Sequence, residues 1–152
     1  SAMGTNLVIL AALAAILYFG GLMPILLIFV PSTLLAATAG VWLFYVQHQF
    51  ETTHWENDED WQLHEAALHG SSHYDLPPIL RWFTANIGIH HVHHLYSRIP
   101  FYRLTEVLND HKELVQVSRL TMVQSLKCAS LDLWDEKKRR LVSFASLRRN
   151  AA

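Results

Sequence analysis

The first charged residue of the chain is Glu51, so fifty residues pass without an Asp, Glu, Lys or Arg. From Asn6 to Val46 nearly every position is apolar or small, interrupted only at Gly20-Gly21, Pro24 and Pro31. A bilayer crossing takes ~20 apolar residues, so the stretch is long enough for two. It predicts a transmembrane helical hairpin over 5–47: a helix over about 5–19, a turn at Gly20–Pro24, and a second helix running to about Gln47 with a kink at Pro31. A buried helical hairpin in a soluble protein is the alternative, but it needs a larger core than 152 residues readily supply. No basic segment precedes the apolar run, and its length exceeds the apolar core of a signal peptide, which argues against a secretory signal. Residues 1–4 read as a cloning remnant or an arbitrary cut and carry no expectation.

All 12 Lys/Arg and 13 Asp/Glu lie beyond this stretch, and with neutral histidines they leave a net charge of −1. That balance gives no electrostatic footprint for nucleic acid. The single cysteine, Cys128, rules out an internal disulfide. Lys and Arg begin at Arg81, so the later portion is expected on the cytoplasmic side, with Trp42, Tyr45 and Trp55 near the interface. The acidic run from Glu56 to Asp60 reads as solvated loop. Gly70 should stop a short helix, a second helix is expected over about 79–95, and amphipathic segments should follow. The expected class is all-α and integral to a membrane, with 5–47 in the bilayer. A cytoplasmic histidine-rich region would fill 48–112, and an amphipathic helical tail 113–152.

Ten histidines are the outlying count, and four of them fall in "HHVHH" at 90–94. On a helix at about 100° per residue, His90, His93 and His94 share an arc of about 100° while His91 points away. Three imidazoles on one face suit a transition metal. They would furnish half of a two-metal site, or one metal with outside help. His48, at the expected membrane exit, is the next candidate ligand. Glu51, three residues on, shares its face and is expected to accept from its second ring nitrogen. His54, His64, His69, His73 and His111 lack ligand spacing and read as ordinary interfacial, loop or surface residues.

"GIHHVHHLYSRIPFYRL" resembles the third histidine box of the membrane fatty acid desaturases. "FYVQHQFETTHWENDEDWQLHEAALHGSSHYDLPP" is similar to the segment preceding that box in acyl-lipid desaturases of the omega-6 (delta-12) type, and "SLKCASLDLWDEKKRRLVSF" to the tail of bacterial members. The resemblance covers most of 41–144 and implies a diiron (Fe) site built almost wholly of histidine, at the cytoplasmic ends of transmembrane helices. It implies an enzyme that uses O₂ and two electrons from ferredoxin or cytochrome b5 to insert a cis double bond into an acyl-lipid chain, in a bacterial inner membrane or similar. Matched residue by residue, it implies His90, His93, His94 and His48 as metal ligands. His54, His73 and His91 fall where variation is expected.

The family also carries two earlier histidine boxes, whereas residues 1–47 contain no histidine. The chain is therefore expected to be the C-terminal part of a desaturase, and inactive by itself. Leu76, Ile79, Leu80, Trp82 and Phe83 are candidates to line an acyl channel. Lys137–Arg140, with Arg148 and Arg149, would meet anionic headgroups or an acidic electron donor. A related diiron hydroxylase or carotenoid oxygenase, a non-catalytic membrane metal-binding protein, and a stable fragment without chemistry are the competing readings. On the helix-face argument, His93→Ala should abolish metal loading, while changes at His91 and His73 should be mild.

Overall fold

The computed structural model describes residues 1–57 and 59–150, with the side chains of Leu147, Arg149 and Asn150 outside that description. Asp58 of the acidic run, Arg149 of the basic set and residues 151–152 of the expected tail therefore lie outside the described residues or side chains. The chain forms two units, Ser1–Trp42 and Leu43–Ala152.

In the first unit α1 covers Ala2–Gly20. Nineteen residues rise about 28 Å, enough for the hydrocarbon core of a bilayer. Gly21 then adopts φ 73°, a left-handed conformation that glycine takes without steric cost, and it separates α1 from the next helical stretch. That stretch opens with a π-helical turn, Ile25–Phe29, and continues as α2, Val30–His48, whose last turns belong to the second unit. The expected disturbance at Pro31 takes the form of this widened turn. Proline has no N–H to give the carbonyl of Leu27, and the Val30 N–H instead closes on Ile25 O. Both stretches are long and apolar enough to cross a membrane. No residue in 1–42 is buried.

The helices of the second unit are short pieces: α3 (Leu63–His69), α4 (Pro78–Phe83), α5 (His90–Leu95), α6 (Leu104–Asp110), α7 (Met122–Cys128) and α8 (Phe144–Asn150). The unit also contains strands, which corrects the all-α expectation. β1 (His73–Asp75) pairs in parallel with β2 (Arg119–Thr121), and β3 (Leu133–Asp135) pairs antiparallel with β4 (Arg140–Val142). The expected helical tail is thus broken by a hairpin. Asp135 Oδ1 accepts the N–H groups of Lys137 and Lys138 across the turn, and Arg139 closes it at φ 49°. That is Asx-turn chemistry, which competes with helix.

The helix expected over 79–95 is also divided. α4 ends at Phe83, Ala85 and Asn86 take left-handed φ values of 51° and 55°, and α5 begins only at His90. Tertiary donors claim the carbonyls that a continuous helix would use: Gln47 Nε2 donates to Ile87 O at 2.9 Å, and Tyr74 N to Gly88 O at 2.7 Å. Gly88 permits this approach, because a Cβ there would stand 2.4 Å from Tyr74 O. Ile89, Val92, Leu104 and Leu108 then form an apolar cluster under α5, with Leu114 and Val115 against it.

Candidate metal centre

α2 and α5 bring three imidazoles to one point. The Nε2 atoms of His48, His90 and His94 lie 3.3 Å (48–94), 3.3 Å (48–90) and 3.0 Å (90–94) apart. A point about 2.1 Å from all three, the usual metal–imidazole distance, lies about 1 Å off their plane and sees them at about 90–105°. Angles between octahedral and tetrahedral suit facial ligation of one transition metal, so these residues fit the iron that the resemblance implies. His90 and His94 meet because they are one helical turn apart.

The last turn of α2 is fixed to the rest of the unit by several bonds. Ser72 gives its N–H to Gln47 O at 2.9 Å and its hydroxyl to Val46 O at 3.2 Å. The buried Gln47 side chain reaches Ile87 O, three residues before His90. Tyr45 donates its hydroxyl to Cys128 O at 3.0 Å. The two ligand-bearing segments are therefore joined directly, rather than only through the chain between them.

Burial, reinforced by the neighbouring rings, keeps His90 and His94 ready to ligate. His90 is held down to about 3, first by burial and then by the neighbouring His94 and His48. His94 is lowered for the same reasons, with burial foremost. Neutral rings present lone pairs, which a metal needs. His48 Nδ1–H donates to Phe44 O at 2.8 Å, and this leaves the Nε2 lone pair facing the other two rings.

That bond also displaces Glu51 from its expected role. The tautomer of His48 is set by the carbonyl one turn back on its own helix. Glu51, beyond the end of α2, accepts from Arg140 Nη1 at 2.8 Å. Arg139 likewise pairs with Glu56, and Lys138 with Asp135 at 3.5 Å. Lys138, Arg139 and Arg140 thus each meet a carboxylate of the unit while their side chains stay exposed.

His93 is not part of the three-nitrogen group. Its ring stacks beside that of His90, centroids 5.7 Å apart, and it borders a separate cleft with Thr84, Ile87, Ser97, Ile99 and Leu104. Beside His48 opens another cleft, of about 470 Å³, walled by Thr53, Trp55, Gly70, Trp134 and Leu141. None of the five residues expected to line an acyl channel borders it: Leu76 is buried in the core, while Ile79, Leu80, Trp82 and Phe83 are exposed.

Three bland histidines meet carboxylates: His54 near Glu56, His69 near Glu65 and His111 near Glu113. His73 and His91 are different. Both are buried, and their rings lie 5.3 Å apart, tilted by 31°. The sequence held a signal for His91, which at 100° per residue stands next to Leu95 and Val92 on the apolar side of the helix. For His73 there was no comparable cue, since β1 is three residues long and its partner lies 46 positions away.

A family model described as fatty acid desaturase matches residues 2–125. A fatty acid desaturase of Bacillus subtilis (strain 168) is 44% identical over 144 residues, which are 95% of this chain and 41% of that protein. The chain thus spans about two-fifths of the length of this curated relative. No solved structure matches. The family match runs through both long apolar helices and the whole imidazole cluster, and the chain belongs to the fatty acid desaturase family.

Proposed function

We propose that this chain forms the membrane-inserted, metal-binding portion of a diiron desaturase that introduces a cis double bond into the acyl chain of a membrane lipid. The observation that carries the reading is the triangle of Nε2 atoms from His48, His90 and His94. The conversion takes –CH₂–CH₂– with O₂, two electrons and two protons to –CH=CH– and two waters. Iron, when bound, supplies the oxygen activation needed to attack an unactivated methylene. This chain's residues hold and orient it. His48, His90 and His94 take one iron, Phe44 O fixes the ring of His48, and His93 serves the second iron together with donors from a longer protein. In the cleft beside His48, which Gln49, His54 and Glu136 also border, Trp55, Trp134 and Leu141 are the apolar surfaces that would meet part of an acyl chain.

α1 and the 25–48 stretch cross the bilayer, and the metal site lies at its cytoplasmic face. Electrons come from a ferredoxin or cytochrome b5, the donors that the resemblance implies.

The first test is anaerobic Fe²⁺ loading of the detergent-purified chain, read by inductively coupled plasma mass spectrometry. About one iron per chain is expected, lost in His90→Ala and retained in His54→Ala. Equal iron in wild type and His90→Ala would sink the site. The reaction is tested with a full-length protein containing this stretch, expressed in a host that makes no unsaturated lipid. Gas chromatography–mass spectrometry should find cis-monoenoic acyl chains, and their absence despite iron loading would redirect the reading to a hydroxylase.

A further inference from the structure

α5 has only six residues and no side-chain bond at its N-cap, so little in its own sequence holds it. Its orientation nevertheless decides whether a metal can be bound. Ring nitrogens lie about 6 Å from the helix axis, so a 10° rotation moves them by about 1 Å, beyond the roughly 0.5 Å that a ligand site tolerates. Ile89 and Val92, buried in the apolar cluster, limit such rotation through the shape of their packing, and hydrogen bonds add fixed directions to it.

The directional contacts come from the flank of α5 that carries His91. The wholly buried His91 has Nε2 3.0 Å from Leu114 O, and the buried His73, its ring against that of His91, has Nδ1 2.8 Å from Val115 O. Each N–H donates to one of two consecutive carbonyls in the 3₁₀ turn Lys112–Val115. His73 is also bridged through its backbone to Ile89, the residue just before α5, and takes Ser118 O with its N–H at 3.0 Å. The same strand residue therefore touches the start of the metal helix and the turn that His91 grips.

We propose that His91, backed by His73, is a positioning residue that sets the rotation of α5 and so the convergence of His90 and His94 on His48. This rests on the metal reading above and extends it to residues outside the ligand set. It reverses the expectation from helix-face angles that His91 is dispensable.

The test compares side chains of matched shape. His91→Gln keeps an N–H for Leu114 O, whereas His91→Met has similar length and no donor. Co²⁺ is titrated into each detergent-purified chain and followed by its visible ligand-field bands, with circular dichroism as the check on folding. His91→Gln should bind Co²⁺ within about threefold of wild type. His91→Met should bind at least tenfold more weakly with shifted bands, and His73→Met should bind more weakly than wild type in the same sense. Should His91→Met fail to fold, His73→Met against His73→Gln decides. Wild-type affinity and bands in a folded Met variant would overturn the positioning role while leaving the metal site standing. Absence of Co²⁺ binding in wild type itself would overturn both.

Discussion

Ser1–Trp42 and Leu43–Ala152 hold their folds by different means. The first has no buried residue, and its helices satisfy backbone polarity internally, as chains in lipid must. The second buries a cluster of apolar residues together with Gln47, Ser71, Ser72, His73, His90 and His91, each tied to particular carbonyls or rings. One unit depends on the average character of its side chains, the other on individual partners. Substitutions should therefore behave oppositely in the two.

The sharpest contrast places the same charge at two equally exposed apolar sites. Leu35 is 73% exposed and Val123 is 76% exposed. Leu35→Arg near the middle of the 25–48 stretch should cost about 2.5–3.5 kcal/mol of bilayer insertion, read as the inserted fraction in a membrane-integration assay. Val123→Arg should change the stability of its unit by less than about 0.5 kcal/mol. Equal tolerance of the two would remove the case that 25–48 faces lipid.

Gly88→Ala tests the second unit's dependence on single contacts. Its Cβ would press on Tyr74 O, a backbone atom that β1 pairing holds in place. We expect a loss of about 1–3 kcal/mol in chemical denaturation, together with weaker metal uptake, because Gly88 leads into α5. Gly40→Ala, with nothing within 4 Å of the added carbon, should be neutral or favourable to its helix.

Acid should separate the units next. Burial holds His90 to about 3 and His91 to about 4, and lowers His73. In the unfolded chain they titrate near 6.5. Below that pH the unfolded state binds more protons, so the stability of 43–152 is lost as pH falls from about 6.5 towards 4. Residues 1–42 contain no histidine or charged side chain, so their helicity should hold steady across this window. Circular dichroism with chelator present measures both, and a second unit as stable at pH 5 as at pH 7 would contradict the burial of these rings.

The smallest effect is expected at Glu51→Gln. Its exposed pair with Arg140 should contribute under about 1 kcal/mol. Co²⁺ affinity should not move, since Phe44 O holds His48. A tenfold loss of metal would return Glu51 to the role that its spacing suggested.

The sequence by itself determined the first unit and the chemistry of the second. Fifty uncharged residues, two glycines and two prolines locate the long helices, because hydropathy and backbone restriction are local properties. Gly70 ends α3 as its position implied, and "HHVHH" beside "QHQFE" pointed to the imidazoles at the cluster. Tertiary structure decided how those imidazoles are arranged. It put His48 with His90 and His94, left His93 aside, gave Glu51 to Arg140, and turned His73 and His91 into buried supports. It also divided the 79–95 helix and inserted the β3–β4 hairpin. The reason is the same in each case: a carbonyl, a ring nitrogen or a carboxylate has a few strong bonding positions. Apart from the hairpin, where Asp135 accepts from residues two and three positions on, the donor that fills them comes from far along the chain, such as Gln47 for Ile87 or Arg140 for Glu51. Periodicity along the chain carries no information about those encounters.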